Sequence, residues 1–363
     1  MQKKIKPLIY PYHWDVIGTD TLPKDMSEQD PRFFEYRRQW EENPLHHHVS
    51  DFPLQLDIEV SGRCNLMCTH CVRHSRRTGV GDMEMRIFKK IIDEGARHGL
   101  YAMIPHWLGE SFLHPELMGM IQYAKENGVL DVRVNTNCTL VDEAMAEKVL
   151  DSRLDTIVCS IDAVEEETYN RIKFGSDFSL VHRNIERLIE LRNSRGLKKP
   201  KIIVQMIDMK KTHEELTSFI DYWRVRADRV RVAIYQSPDG KPNDRNRVRN
   251  APDSIFPCPQ LWQRLALSWD GVVYACIGDN SCRNPLGNVN EESIYDIWHG
   301  AKMNHLRQLH VNYKADDIEM CLHCDLNKIP QTAKKYKGHK EWTSETTKKK
   351  GYPLESGQRA IAT

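Results

Sequence analysis

Three cysteines lie close together in the segment SGRCNLMCTHCVRHSRR. They are Cys64, Cys68 and Cys71, so their spacing is C-x3-C-x2-C. Thiolates select zinc or iron–sulfur clusters, and a structural zinc ion normally has four protein ligands. His70 or His74 could supply the fourth ligand of a zinc site. A 4Fe–4S cluster held by three cysteines instead keeps one iron open to another ligand. This arrangement explains why three cysteines, and not four, occur together.

A second group of cysteines lies near the C-terminus. Four of its members could supply a complete set of thiolates for zinc or for a 4Fe–4S cluster, and the spacing does not separate the two metals. These four are Cys258, Cys276, Cys321 and Cys324. Cys282 is left over, as an alternative cluster ligand, an inert thiol or a hydrogen-atom donor.

Six short apolar or β-branched runs recur along the first two thirds of the chain. They cover residues 54–60, 101–107, 131–135, 156–161, 201–208 and 230–235. Amphipathic helical patterns that end in glycine lie between several of these runs. The alternation predicts an α/β fold with a parallel sheet, closed into a partial (β/α)6 TIM-like barrel or left open. Ligands bind at the carboxyl ends of such strands, and Cys64 follows the first strand.

The C-terminal third has a different pattern. Residues 236–257 are rich in Pro, Asn and Asp, which predicts a linker. Asp270-Gly271 between two apolar runs predicts a β-hairpin, and a helix interrupted at Gly300 is expected over 291–310. The predicted parts are an N-terminal extension (1–50), the barrel (51–235), the linker (236–257), a small hairpin-plus-helix domain (258–328) and a polar basic tail (329–363).

The composition excludes several classes of protein. The chain of 363 residues has a formal net charge of +1, with 40% hydrophobic and 28% charged residues, so a nucleic-acid binder is not expected. No apolar run approaches the roughly 20 residues of a membrane helix, and no secretory signal is recognisable. A cytoplasmic location is expected, where ten cysteines indicate metal binding or catalysis rather than disulfides.

The cysteine triplet after the first predicted strand resembles the radical S-adenosylmethionine (SAM) superfamily. The resemblance implies a 4Fe–4S cluster on Cys64, Cys68 and Cys71, whose open iron binds the amino and carboxylate groups of SAM. It also implies that one electron from this cluster cleaves SAM to methionine and a 5′-deoxyadenosyl radical. An external one-electron reductant such as flavodoxin or ferredoxin is then expected, with no nucleic-acid or membrane partner.

Segments after the second and third strands are similar to SAM-binding segments of this family. WLGESFLHPEL resembles the Gly-Gly-Glu loop that binds the SAM amino group. Gly109 and Glu110 match it, whereas Leu108 replaces the first glycine. NTNCTL resembles the family's Thr-Asn-Gly segment, in which Asn137 is retained and Cys138 replaces the glycine. A non-glycine residue at this position predicts a less strained turn.

After the fourth strand, CSIDAVEEETYNRI resembles the segment that contacts the carboxylate and ribose of SAM. The resemblance assigns these contacts to Ser160 and Arg171, with Asp162 as a further candidate. Glu110, Asp162 and Arg171 each have a simpler explanation as a helix cap or a solvated helix residue. Their common position at strand ends, in the family's order, favours the SAM site.

The region from CPQLWQRLALSWDGVVYAC to CLHC resembles the SPASM/twitch domains of radical SAM enzymes that act on cyclitols and sugars. A full SPASM domain has seven cysteines and two auxiliary clusters, whereas this region has five cysteines. One auxiliary 4Fe–4S cluster is therefore expected. The resemblance assigns its ligands as Cys258, Cys276, Cys321 and Cys324.

Two clusters and SAM together predict a radical oxidation. The deoxyadenosyl radical would abstract hydrogen from a carbinol carbon of a small polyhydroxylated substrate, a sugar or cyclitol with or without a linked nucleotide. The auxiliary cluster would accept an electron as the ketone forms. The hydroxyl proton needs a base, for which His106 and Tyr235 are candidates, with Gln205 as a polar binder.

Other functions remain open. A radical sugar epimerase would use Cys282 as its hydrogen donor. A ribosomal-peptide maturase is a further alternative, although the first 50 residues look short and irregular for a peptide-recognition domain. A non-catalytic zinc-binding protein is the alternative from a different class.

Arginines follow the first cysteine group and occur again in the linker. They are Arg73, Arg76, Arg77, Arg245 and Arg247. Because guanidinium groups recognise phosphate and carboxylate, these residues predict an anionic substrate if they line the mouth of the barrel. Solvated surface charge is the alternative.

Overall fold

The six apolar runs form neighbouring strands of one sheet. The structure is a computed structural model that describes residues 13–17, 30–76, 78–235, 257–322 and 324. Its strands are β1 (His13–Ile17), β2 (Gln55–Ile58), β3 (Met67–Cys68), β4 (Ala102–Ile104), β5 (Asp131–Thr136), β6 (Thr156–Ser160), β7 (Lys173–Phe174), β8 (Lys201–Asp208), β9 (Arg229–Ile234), β10 (Arg264–Leu267), β11 (Val272–Tyr274) and β12 (Pro285–Asn288). Strands β2, β4, β5, β6, β8 and β9 are parallel neighbours in that order, which confirms the predicted α/β fold.

Ten helices lie before, between and after the parallel strands of the described chain, and the second to the seventh of them connect these strands. They are α1 (Pro31–His46), α2 (Met85–Arg97), α3 (Leu117–Glu126), α4 (Glu143–Asp151), α5 (Glu166–Ile172), α6 (Phe178–Ser194), α7 (Leu216–Trp223), α8 (Ile294–His299), α9 (Ala301–Val311) and α10 (Glu319–Leu322). In α2, Phe88 and Ile91 lie on the buried stripe and share one core with Leu56 and Ile58 of β2. This stripe is the helical periodicity expected for a helix that covers a sheet.

The other face of the sheet carries polar residues. Along β5, alternate residues are buried, whereas Arg133 and Asn135 between them are half-buried. Ser160, Gln205 and Arg231 are partners in register across β6, β8 and β9. Because register partners of parallel strands point to the same side, these residues share one face at the carboxyl end of the sheet.

The predicted C-terminal hairpin is present and extends the barrel sheet. Strands β10 and β11 are antiparallel, and Gly271 in their turn has a φ of 87°, which glycine adopts readily. Strand β10 also pairs in parallel with β2, with Arg264 opposite Gln55 and Leu267 opposite Ile58. The C-terminal region is therefore joined to the barrel sheet beside β2, the strand that precedes the first cysteine loop, and the sequence pattern did not predict this connection.

The N-terminal residues contain regular structure, contrary to the expectation of an irregular segment. Strand β1 pairs antiparallel with β9. The side chain of Asp30 caps α1, and Tyr36 and Trp40 of that helix pack against Leu54 and Ala102. The helix therefore covers the amino ends of β2 and β4, opposite the strand ends that carry the candidate site.

The helix expected over 291–310 is interrupted at Gly300, since α8 ends at His299 and α9 begins at Ala301. Within the described ranges, no helix is both long and apolar enough to cross a bilayer. Apart from residue 257, the predicted linker at 236–257 lies outside the described residues, as does the predicted tail at 329–363.

Candidate active site

The three cysteines of the first group lie on one loop after the carboxyl end of β2. The backbone N–H of Cys71 donates to the carbonyl oxygen of Cys68 across 3.1 Å, which folds the loop back on itself. Burial, together with the nearby Cys71 and Cys64 thiols, raises the pKa of Cys68 to about 11. The three thiols therefore share one neighbourhood, as ligands of one cluster require.

Gly109 allows the loop after β4 to pack closely against the first cysteine loop. A Cβ atom at this position would lie 2.0 Å from the carbonyl oxygen of Ser61 and 2.7 Å from that of Arg63. The backbone N–H of Glu110 donates to the same Arg63 carbonyl across 2.7 Å. Glycine is therefore required for close backbone approach, and the backbone that approaches is the one that leads into Cys64.

Glu110 is buried and joins the ends of β4 and β5. Its Oε1 accepts from the Thr136 hydroxyl across 2.9 Å and from the Phe112 N–H across 3.1 Å. Its Oε2 accepts from the Asn137 N–H across 2.8 Å. Burial raises the pKa of Glu110, and these three hydrogen bonds oppose that rise. The carboxylate thus organises the strand ends, and its predicted contact with the SAM amino group stays a prediction.

Asn137 ties β5 to the first cysteine loop. Its Nδ2 donates to Asn65 Oδ1 across 3.0 Å, and Asn65 Nδ2 donates to the Thr139 hydroxyl across 2.8 Å. The Oδ1 of Asn137 accepts from the backbone N–H of Thr139 at 2.9 Å. Because Asn65 follows Cys64 directly, the polar segment after β5 positions the first cysteine.

Cys138 departs from the sequence expectation. Its φ is 62°, in the left-handed region, so the expectation of a less strained turn is wrong. A side chain in this region costs roughly 1–2 kcal/mol relative to the right-handed region. The turn is held by the Cys138 N–H, which donates to Thr136 Oγ1 across 3.0 Å, and by Asn184, whose Nδ2 donates to the Cys138 carbonyl across 2.9 Å.

Asp162 and Ser160 meet at the end of β6, and their contacts with SAM stay a prediction. The carboxylate of Asp162 is buried, and its Oδ2 lies 2.6 Å from Lys173 Nζ and 2.8 Å from the Ser160 hydroxyl that donates to it. Its Oδ1 accepts from the Ile207 N–H across 2.9 Å. Burial alone would raise the pKa of Asp162, but Lys173 and the other partners hold that pKa below its usual range.

Lys173 is a candidate functional residue that the sequence analysis missed. It is 4% exposed, and its Nζ also contacts the carbonyl and hydroxyl oxygens of Ser160, each at 3.1 Å. In the short pairing of β3 with β7, Lys173 lies opposite Cys68. Its positive charge opposes the effect of burial on the pKa of Cys68. A lysine in the sequence RIKF gives no sign of this position, because each strand is two residues long.

Arg171 and the two histidines beside the first cysteines lie outside this hydrogen-bonded group. The Arg171 side chain is 64% exposed, with its guanidinium 4.0 Å from Glu167, so its predicted SAM contact stays a prediction. His74 Nε2 lies 3.0 Å from the Cys68 carbonyl oxygen, and His70 Nε2 lies 3.9 Å from Asp162 Oδ2. These ring nitrogens therefore meet protein oxygens.

Two of the arginines predicted to bind substrate, Arg73 and Arg76, contact other groups of the protein. The guanidinium of Arg76 forms two hydrogen bonds, of 2.6 and 2.8 Å, with the carboxylate of Glu59, and both side chains are buried. Arg73 donates to the Leu66 carbonyl within the first cysteine loop across 3.2 Å. Arg76 is therefore held in a buried ion pair rather than in an open anion site, whereas a substrate contact by Arg73 stays a prediction. Arg77, Arg245 and Arg247 lie outside the described residues.

The four assigned cysteines of the second group converge. They are Cys258, before the 3-10 turn Pro259–Trp262, Cys276, after β11, Cys321, in α10, and Cys324. Burial raises the pKa of Cys321, and the nearby Cys276, Cys324 and Cys258 thiols raise it further. Burial raises the pKa of Cys276 to about 12, with Cys324 as its next contributor. Four thiols in one place form a complete ligand set for one cluster.

Cys282 lies between the second cysteine group and the barrel. It is 6% exposed and shares an apolar cluster with Trp107, Leu108 and Tyr274. Burial raises the pKa of Cys282 to about 11, against the nearby guanidinium of Arg76. The thiol therefore stays protonated at neutral pH and lies beside the loop that contains Gly109.

The donor sets fit iron–sulfur clusters by chemistry and by number. Three thiols lie on one loop, and four thiols from separate segments converge at a second place. In the described part of the chain, no three Cys, His, Asp or Glu side chains surround a point suited to a single metal ion. A 4Fe–4S cluster is larger than an ion, so its cysteine ligands stand farther apart.

The family comparison agrees with both donor sets. Residues 58–219 match the radical SAM superfamily, and residues 258–325 match the iron–sulfur cluster-binding SPASM domain. The chain contains a radical SAM domain followed by a SPASM domain. Its cofactors are accordingly SAM, a SAM-binding 4Fe–4S cluster and an auxiliary cluster.

Proteins similar to this chain differ in their names and in the molecules bound to them. It is 24% identical over 314 residues to the tungsten-containing aldehyde ferredoxin oxidoreductase cofactor-modifying protein of Pyrococcus furiosus, covering 75% of this chain and 87% of that one. The structure of BtrN in complex with AdoMet and 2-DOIA superposes with a TM-score of 0.56 at 17% identity, over 76% of this chain and 94% of BtrN. SuiB of Streptococcus suis, bound to the precursor peptide SuiA, gives 0.58 at 15% identity, over 84% and 77%. These two similarities concern the fold.

Proposed function

We propose that this radical SAM chain oxidises a carbinol carbon of a small polyhydroxylated molecule to a ketone. When bound, the cofactors supply the 5′-deoxyadenosyl radical at one cluster and an electron acceptor at the other. The substrate then loses one hydrogen atom to the deoxyadenosyl radical, one proton from its hydroxyl to a base, and one electron to the auxiliary cluster. These losses balance the conversion of the alcohol to the ketone.

The observation that carries this proposal is the packing of the SPASM cysteine loop against the barrel loop after β4. Leu108, next to Gly109, shares an apolar cluster with Tyr274 and Cys282. Tyr274 comes two residues before Cys276. A direct contact between the two loops supports electron transfer from the barrel to the second cysteine group, whose four thiols form a complete ligand set.

His106 is the candidate base with the clearest geometry. The Ser111 hydroxyl donates its proton to the carbonyl oxygen of Pro105, and its oxygen lies 3.4 Å from His106 Nδ1. With that proton already used, the Ser111 oxygen can only accept from Nδ1–H, so the lone pair is on Nε2. Burial lowers the pKa of His106 to about 4, with Arg133 adding to this effect, so the ring is neutral at pH 7.

The polar face of the sheet, which carries Ser160, Gln205 and Arg231, is suited to bind a hydroxylated substrate. Asn135 and Gln205 lie on this face. The buried Oδ1 of Asn135 has no hydrogen-bond partner among the described residues, so it is available to accept from a substrate hydroxyl. The P. furiosus relative, named as cofactor-modifying, and BtrN in its complex with 2-DOIA add support for a small substrate. The precursor peptide bound to SuiB supports a peptide instead.

Radical epimerisation is the second candidate, favoured by one observation. A hydrogen-atom donor must keep its S–H bond, and the raised pKa of Cys282, about 11, keeps this thiol protonated. In that reaction Cys282 would return a hydrogen atom to the opposite face of the substrate carbon. The product would then have the mass of the substrate.

An anaerobic assay with SAM, a one-electron reductant and candidate sugars or cyclitols tests both functions. Dehydrogenation gives a product that lacks two hydrogens, and Cys282→Ala retains this activity. If Cys282→Ala still forms 5′-deoxyadenosine but gives no product, epimerisation is favoured over dehydrogenation. A parallel assay with candidate peptides that gives a modified peptide would instead favour maturation.

The metal content tests the enzyme class itself. Purified under nitrogen, the protein is expected to be brown and to contain about eight irons per chain, four for each cluster. A colourless protein with stoichiometric zinc would contradict the radical enzyme and favour a zinc-binding protein.

A further inference from the structure

His310 contacts two of the four cysteines assigned to the auxiliary cluster. The residue lies near the end of α9 and is 1% exposed. Its Nδ1 lies 3.2 Å from the backbone nitrogen of Cys258, which donates to it, and its Nε2 lies 3.5 Å from Cys321 Sγ. The ring thus connects the segment before β10 with the C-terminal CLHC segment.

These contacts determine which ring nitrogen carries the proton. The backbone N–H of Cys258 can only donate, so the Nδ1 that faces it must be an acceptor without a proton. In a neutral imidazole the proton then lies on Nε2, which faces Cys321 Sγ. The sulfur is therefore the acceptor of an N–H···S hydrogen bond.

Arg307 holds α9 in the position that aims this ring. Its guanidinium, one turn before His310, is buried and donates to the carbonyl oxygens of Leu261 and Trp298 across 3.0 and 2.8 Å. It also lies 4.2 Å over the ring of Trp298. Since Leu261 follows Cys258 by three residues, Arg307 fixes the helix relative to the same segment that His310 contacts.

We propose that His310 is a positioning residue that raises the reduction potential of the auxiliary cluster through its hydrogen bond to Cys321. Reduction adds negative charge to the cluster and its thiolates, and an N–H donor stabilises that charge. A higher potential makes the cluster a better electron acceptor, as the proposed oxidation requires. The inference rests on the auxiliary cluster bound by these cysteines and is measured without substrate.

Two substitutions separate the contacts of His310. In His310→Asn, the side-chain oxygen occupies the place of Nδ1 and accepts from Cys258, but no donor reaches Cys321. In His310→Gln, the amide nitrogen occupies the place of Nε2 and still donates to Cys321. His305→Asn is the matched control, because His305 is an exposed residue of the same helix.

EPR-monitored redox titration of the full-length holoenzyme measures both cluster potentials. His310→Asn is expected to make the auxiliary potential more negative, whereas His310→Gln and His305→Asn stay close to the wild type. The SAM-binding cluster, recognised by the change of its signal when SAM is added, is the internal control and should not shift. An unchanged auxiliary potential in His310→Asn, or equal shifts in Asn and Gln variants, would overturn the proposal.

A second measurement tests the proposal even if His310→Asn does not retain the auxiliary cluster. Pulsed EPR of the reduced wild-type protein labelled with 15N-histidine should show a nitrogen coupled to the auxiliary cluster, and His305→Asn should keep this coupling. Absence of the coupling from the wild type would overturn the proposal. Failure to form a ketone would bear on the proposed reaction alone, since neither measurement uses substrate.

Discussion

The indole nitrogen of Trp107 donates a hydrogen bond to the carbonyl oxygen of Ile277 across 2.9 Å. Trp107 lies two residues before Gly109, in the loop after β4, and Ile277 directly follows Cys276. The Trp107 ring also packs against Tyr274, with 5.2 Å between ring centroids. One side chain therefore fixes the barrel loop beside the first cysteines to the loop of the second cysteine group.

Replacing Trp107 with Phe keeps an aromatic ring and removes this hydrogen bond. A hydrogen bond of this kind contributes about 1 kcal/mol, and the Ile277 carbonyl would lose its partner. We expect Trp107→Phe to lower the midpoint of thermal unfolding, measured by circular dichroism under nitrogen. Trp269→Phe is the control, because Trp269 donates to the Gly79 carbonyl at an exposed position where water can replace it. Equal losses in the two variants would contradict the specific role of Trp107.

Gly109→Ala is expected to prevent loading of the first cluster. The added Cβ would overlap the carbonyl oxygens of Ser61 and Arg63, and backbone atoms cannot move aside as a flexible side chain can. The iron content should fall from about eight to about four per chain, with loss of 5′-deoxyadenosine formation.

Gly119→Ala provides the matched control for this substitution. Gly119 lies in α3, where a new Cβ would meet only the end of the Met85 side chain at 3.9 Å. Alanine should be neutral or stabilising there, since glycine costs about 1 kcal/mol within a helix. A Gly109→Ala protein with full iron content would show that the loop can relax around the added methyl group.

Lys173→Met should destabilise the fold strongly. The substitution leaves the Asp162 carboxylate buried without its cation, which typically costs about 3–5 kcal/mol. Anaerobic urea unfolding should show a lower midpoint, partly restored in the double variant with Asp162→Asn. Arg171→Met, two residues earlier at an exposed position, should have little effect. A small loss in Lys173→Met would mean that Asp162 finds other partners or becomes protonated.

The strands were predictable because each is a short, local run of apolar or β-branched residues. Their parallel order follows from the alternation with helices. The pairing of β10 with β2 could not be predicted, because it joins Leu267 and Ile58, which are distant in sequence. Pairing of that kind depends on the whole fold rather than on local pattern.

The cysteines could be singled out from their spacing, whereas the residues that contact them could not. Lys173 and His310 act through burial and through contacts with distant segments, which a single sequence does not show. Arg76 illustrates the converse error. Its sequence context suggested an exposed charge that could bind a substrate. In the structure, its guanidinium donates two hydrogen bonds to Glu59, seventeen residues earlier.

His106 should make folding stability depend on acid pH. Burial lowers its pKa to about 4, with Arg133 as a further cause, whereas an unfolded histidine titrates near pH 6.5. Between these values the unfolded chain binds a proton that the folded chain does not. The stabilisation is therefore complete above about pH 6.5 and is lost as the pH falls toward about 4.

His106→Gln removes this titration while it keeps a polar side chain. Anaerobic urea midpoints measured between about pH 5 and about pH 7.5 should fall less steeply on acidification than those of the wild type. The exposed His305→Gln should follow the wild-type curve. If His106→Gln and the wild type lose stability in parallel, the imidazole binds its proton equally in the folded and unfolded chains, and burial does not lower its pKa.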